Sequence, residues 1–122
     1  MHARRRYIED VMRMAYEAFS KDYLAENLKN LRIYCGFKTF EVADFLNLTS
    51  SAYGYYEIGR SIPPLAKLIK LALLYGVTVE DLVRNPNELM AHIERERKLA
   101  DIKRELNLTE DQLFLFRCIL DN

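Results

Sequence analysis

Apolar residues recur three and four apart along most of the chain, which predicts amphipathic helices rather than strands. In residues 4–19 the stripe is Ile8, Val11, Met12, Ala15 and Phe19, with Arg4, Arg5, Arg6 and Arg13 towards the polar side. Ser20 is a candidate N-cap for a second helix, striped by Leu24, Leu28 and Leu31 and ended by Gly36. Two short segments follow. The first, 39–46, carries Val42, Ala43, Phe45 and Leu46; the second, 50–58, comes after the turn Asn47-Leu48-Thr49, with Thr49 as its cap. Gly59 closes the second segment, and Ser61-Ile62-Pro63-Pro64 redirects the chain. Residues 65–75 hold Leu65, Leu68, Ile69, Ala72 and Leu73, apolar enough to predict a buried helix at the centre of the fold, ended by Gly76. Thr78 and Asp81 have the spacing of a capping box ahead of Leu82 and Val83.

The character changes after Asn85-Pro86. Residues 87–105 combine the charged run Glu94-Arg95-Glu96-Arg97-Lys98 with a sparse stripe of Leu89, Ile93, Leu99, Ile102 and Leu106, and Glu94 and Lys98 have the spacing of an i,i+4 ion pair. Thr109 and Gln112 form a capping box for a last helix, whose apolar surface is Leu113, Phe114, Phe116, Ile119 and Leu120. Such a surface needs burial: a dimer contact, an intrachain lid and another protein all remain open. The organisation expected is an N-terminal helix at 1–19, a compact domain at 20–84, and a helical extension at 85–122 that is a candidate dimerisation element.

Composition narrows the class. The chain has 122 residues, 50% hydrophobic and 30% charged, with 4 Gly and 3 Pro, so it is read as all-α: one compact domain with an extension. The size argues against a large nucleotide-binding α/β fold, and a collagenous or fully disordered chain is excluded. Cys35 and Cys118 are far apart in apolar sequence surroundings, which points to a reducing cytoplasm rather than a disulfide framework. The basic N-terminus has no signal-peptide core, and no stretch approaches the roughly 18 apolar residues of a membrane span, so a soluble cytoplasmic protein is expected. His2 and His92 have no metal-ligand or Cys–His spacing, and there is no Gly-rich phosphate loop. No enzyme activity, metal or cofactor is expected.

Charge bears directly on function. Eighteen Lys and Arg balance eighteen Asp and Glu, which argues against gripping nucleic acid by a bulk positive field. The balance is uneven: 7 basic and 5 acidic residues in 1–36, 4 and 5 in 37–83, 7 and 8 in 84–122.

Two short helices joined by a tight turn and braced by flanking helices describe a helix-turn-helix unit, whose second helix enters the DNA major groove. Here that helix is 50–58. It contains no Arg, Lys, Asn or Gln, the residues that read guanine or adenine by paired hydrogen bonds. Ser50 and Ser51 can donate or accept weakly, Ala52 can touch a thymine methyl, and Tyr55 can bond phosphate or pack on sugar. Glu57 is its only charge. Arg4, Arg5, Arg6 and Arg13 could add phosphate or minor-groove contacts, and Lys29, Arg32 and Lys38 could line the backbone. Tyr53, Tyr55 and Tyr56 point in different directions around a helix, so they cannot all be core, and Tyr55 is the ring expected at the surface.

Residues 28–83 resemble the Cro/C1-type (phage-repressor-like, XRE-like) helix-turn-helix family. The marks are Leu31-Arg32, Val42-Ala43, Leu46-Asn47-Leu48-Thr49 and Tyr56-Glu57-Ile58-Gly59, continued in register by Pro63, Leu65, Leu68, Leu71-Ala72, Tyr75-Gly76-Val77 and residues 79–82. The resemblance implies a compact five-helix lambda-repressor-like core, here with an extra N-terminal helix and a C-terminal helical extension. It also implies structural roles: Ala43 packs on the next helix, Glu57 pairs with Arg32, Gly59 closes the motif, and Tyr56 is packed. Thr39 stands where the family has a phosphate-reaching Gln, and Tyr53 where it prefers a buried β-branched residue. Ser50, Ser51, Ala52, Gly54 and Tyr55 occupy the reading positions, with Lys38 and Arg60 as flanking cations. A homodimeric transcriptional regulator on duplex DNA is the function implied. The alternative left open is a helix-turn-helix fold reused as a protein-interaction module, with Tyr55 and the last helix as contact surfaces.

Overall fold

The computed structural model describes residues 2–18 and 21–120. The Ser20 cap and Phe19 of the first stripe lie outside the described residues. The chain forms two compact units, Met1–Pro86 and Asn87–Asn122.

In the first unit, α1 (His2–Ala18) precedes α2 (Lys21–Tyr34), α3 (Thr39–Phe45), α4 (Ser50–Glu57), α5 (Leu65–Tyr75) and α6 (Val79–Leu82). Leu24, Leu28 and Leu31 turn one side of α2 into the core, where α2 packs against α4 and α6, α3 packs against α4, and α5 against α6. Val42, Ala43, Leu46, Tyr53, Tyr56, Leu71, Ala72, Tyr75 and Leu82 complete this core. Fully buried Asn27 adds a polar tie. Its Nδ2 donates to the carbonyls of Leu82 at 2.9 Å and Arg84 at 2.8 Å, which satisfies acceptors left open where α6 ends.

Helix ends follow local chemistry. Asn47 takes φ +56°, and the Leu48 N–H reaches back to the Ala43 carbonyl at 2.8 Å, so the chain reverses within three residues between α3 and α4. The Thr49 hydroxyl then accepts from the Ala52 N–H at 3.1 Å, starting α4 as its sequence predicts. Thr78 and Asp81 complete a reciprocal box, each side chain accepting from the other's N–H at 3.0 Å.

Burial on α5 departs from the sequence expectation. The helix is not buried all round: it turns Leu71, Ala72 and Tyr75 inward and leaves Leu65, Ile69 and Leu73 exposed. Apolar residues spread over more than half the circumference of α5, so their pattern does not reveal which of them find a partner, and the inner face here is set by packing on α6.

The second unit is a helical hairpin of α7 (Pro86–Leu106) and α8 (Glu110–Leu120). Asn107 at φ +52° makes the reversal, and Thr109 and Gln112 cap α8 as a box, with backbone donors at 2.9 and 3.2 Å. Lys103 pairs with Glu110, and Arg117 with Glu96, so the two helices run antiparallel. Two expectations change. Glu94 is held by Arg97 at 2.8 Å, three residues on, rather than by Lys98. Leu113 is 7% exposed and belongs to the interior, whereas Phe114, Leu115, Ile119 and Leu120 stay exposed and Phe116 is half-buried. Cys35 and Cys118 are both exposed thiols, because each lies near a helix end on an outward position.

Candidate nucleic-acid interface

The interface is built from α3, the Asn47 turn and α4, held on α2 by one ion pair. Arg32 Nε and Nη2 donate to the two oxygens of Glu57 at 2.8 and 3.1 Å, and Nη1 donates to the Phe37 carbonyl at 3.1 Å. This two-pronged geometry suits a planar guanidinium. The side chains are only 15% and 7% exposed, so the pair fixes α4 against α2 in a water-poor setting. The hydrogen bond to Glu57 raises the Arg32 pKa further and keeps its charge in place.

Tyr53 anchors the inner face of α4. It is completely buried, its ring meets Tyr56 edge-on at 6.2 Å, and its hydroxyl lies 3.0 Å from that of Tyr75. A ring where the family prefers a smaller residue is tolerated because α5 supplies a polar partner for the hydroxyl. Burial, with Glu57 nearby, pushes the Tyr53 hydroxyl pKa far upward, and burial raises that of Tyr75 to about 12.

With Tyr53 and Tyr56 inward, the opposite side of α4 faces solvent. At about 100° per residue, Ser51, Tyr55 and Ile58 fall within roughly 60° of one another. Ser50 and Ser51 are exposed, Ala52 and Gly54 are half-exposed, and Tyr55 is 43% and Ile58 65% exposed. Glu57 points away from this face, towards Arg32. Gly59, at φ +77°, lets the chain leave α4, and the Arg60 N–H returns to the Tyr55 carbonyl at 3.0 Å. The Arg60 guanidinium then lies over the Tyr55 ring, 5.4 Å from its centroid.

The remaining site residues have distinct places. Thr39 opens α3 and is exposed, as is Lys38 just before it, whose N–H donates to Glu41 Oε1 at 2.9 Å. The structure therefore brings Lys38, Thr39, Ser50, Ser51, Ala52, Tyr55 and Arg60 into one helix-turn-helix unit. Arg4, Arg5 and Arg6 stand exposed on α1, a separate element, where Arg5 is 3.2 Å from Glu9 and Arg13 is 3.1 Å from Asp10. Ala43 is buried at the α3–α4 contact. Ile58 was not singled out from sequence as a surface residue; its spacing of three from Tyr55 and seven from Ser51 was the available signal. Among the described residues, no group of three or more His, Cys, Asp or Glu could hold a metal ion, and no helix is long and apolar enough to cross a membrane.

Comparison with known proteins matches residues 24–84, half of the chain, to the helix-turn-helix domain. The chain is also 41% identical over 59 residues to the SPbeta prophage-derived HTH-type transcriptional regulator YonR of Bacillus subtilis (strain 168). That alignment covers 48% of this chain and 55% of YonR, so the chain spans about half the length of the curated relative it matches. No solved structure matches.

Proposed function

The chain belongs to the helix-turn-helix domain family through residues 24–84, and from that premise we propose that it is a small transcriptional regulator that binds duplex DNA as a dimer. The observation that carries this reading is the α3–α4 unit itself: the Arg32–Glu57 pair and buried Tyr53 hold α4 rigidly and leave its Ser50, Ser51, Tyr55 and Ile58 side free to enter a major groove. In this reading Ser50, Ser51, Ala52 and Tyr55 meet base edges or sugar. Lys38, Thr39 and Arg60 meet phosphate at the two ends of the unit, and Arg4, Arg5 and Arg6 reach the backbone or minor groove as an arm. Regulation follows from occupying an operator. The exposed Phe114, Ile119 and Leu120 of α8, with half-buried Phe116, support pairing with a second copy, which would double each contact and address two half-sites.

The test is duplex binding by fluorescence anisotropy across a salt series. Each phosphate neutralised contributes a slope of about −0.9 in log K against log salt. Lys38 and Arg60 from two copies make four cations and a slope of about −3.6. Contacts from Arg4, Arg5 and Arg6 steepen the slope beyond this value, and removing residues 1–19 should return it to about −3.6. No binding to a broad duplex pool at low salt, by a folded sample, would end the DNA reading.

A second reading rests on the outer side of α4, which carries a tyrosine and an isoleucine but no cation. Such a surface also suits a protein partner. Copurification of a partner lost on Tyr55→Ala, together with absent DNA binding, would favour it.

A further inference from the structure

We propose that α4 selects its DNA through thymine methyl groups rather than through guanine, an inference that rests on the reading of α4 as the groove helix. Three observations carry it. The side of α4 turned to solvent presents Tyr55 and Ile58 in line with Ser51, with Ala52 at its margin. None of these side chains can donate a fixed pair of hydrogen bonds to guanine O6 and N7, so a guanine under this face would lose its water without replacement. A thymine presents its C5-methyl there, and apolar contact with Ala, Ile or an aromatic edge is the complementary interaction. The serine hydroxyls rotate between donor and acceptor and therefore tolerate any neighbouring pair.

The cations near the helix lie at the ends of the unit. Arg60 lies beyond the C-terminal end of α4 with its guanidinium over the Tyr55 ring, and Lys38 precedes α3. These positions suit phosphate, not the groove floor. Charge thus holds the helix to the backbone while the apolar face does the choosing.

Gly54 adds a geometric reason. It lies within α4, between the Ser51 and Ile58 turns, and a Cβ built on it meets nothing within 4 Å. The chain's own packing does not demand glycine there, although glycine is a poor helix former. Its missing side chain lets the groove approach one margin of the face, beside Ser51 and Ile58, as the small Ala52 does at the other margin.

Uracil in place of thymine removes the methyl and leaves Watson–Crick pairing unchanged. The full chain is first used to select duplexes from a random pool, and affinity is then measured on the selected duplex with thymines replaced one at a time by uracil. The expected selected core is rich in A·T pairs, and each contacted thymine should lose about fourfold in affinity on replacement, the equivalent of one buried methyl. Tyr55→Ala and Ile58→Ala, both at exposed positions, should retain helical circular dichroism while shrinking the thymine-to-uracil ratio towards one. A core defined by guanines, or equal affinity for thymine and uracil duplexes, overturns the proposal while leaving DNA binding intact. Failure to select any duplex removes the underlying reading, and this inference with it.

Discussion

Replacing Glu57 with alanine would remove the carboxylate that holds two nitrogens of Arg32 and would leave a guanidinium in a site where its side chain is only 15% exposed. Breaking a buried pair from one side costs about 3–5 kcal/mol, because the remaining charge has no compensation. Arg32 keeps its bond to the Phe37 carbonyl at 3.1 Å and some access to water, so the lower end, about 3 kcal/mol, is expected. At about 4–8 °C per kcal/mol for a domain of 60–100 residues, the melting temperature should fall by roughly 12–24 °C. That is a large share of a typical domain stability of about 5–15 kcal/mol. The paired variant Arg32→Met with Glu57→Leu removes both charges together and should recover most of the loss. Thermal and urea unfolding followed by circular dichroism would measure all three chains. A loss below about 1 kcal/mol for Glu57→Ala, or a paired variant no better than the single one, would refute the view that this ion pair clamps α4 to α2.

Three further outcomes are expected. Gly54→Ala should stabilise the folded chain by about 0.5–1 kcal/mol, since its Cβ meets nothing and alanine costs a helix less than glycine; the same variant should weaken duplex binding, and a lower melting temperature would contradict the reasoning. Tyr53 and Tyr75 hold their protons more tightly when folded, so the stability they contribute is full below the ordinary tyrosine value of 10 and is lost as pH rises through about 12. Tyrosinate absorbance should accordingly show a late step that coincides with the loss of helicity, and ionisation that is complete while helicity persists would refute it. Phe114→Asp with Ile119→Asp, at positions 62% and 70% exposed, should preserve helicity and convert a dimer to monomer in sedimentation, whereas an unchanged mass would move the dimer contact away from α8.

Much of the fold was legible because it rests on short-range chemistry. Thr49, Thr78 and Thr109 cap the helices that follow them within three residues of sequence. The Asn47 reversal likewise needs only a residue tolerant of left-handed backbone. The Arg32–Glu57 partnership, 25 residues apart, was legible by resemblance alone, since spacing says nothing about two side chains on different helices. Other features were not legible. The Glu94 partner turned on whether the fourth or the third following residue reaches back, and rotamers decide that choice. Leu113 could not be told from Phe114 as surface or interior because both belong to one apolar run.

The sequence by itself determined that the chain is helical, where most helices begin and end, that two short helices form a helix-turn-helix unit, and that its second helix carries no cation. Those properties depend on residues within one or two turns of each other. Tertiary structure decided which side of α5 faces inward, Leu71, Ala72 and Tyr75 rather than Leu65, Ile69 and Leu73, and that Tyr53 joins Tyr56 in the core, whereas Tyr55 was expected at the surface from the sequence. That decision depends on partners distant in sequence. Tyr53 can be fully buried only because the Tyr75 hydroxyl, 22 residues on, meets its own. Burying that ring turns Ser51, Tyr55 and Ile58 outward together, since a helix face is one rigid set of positions.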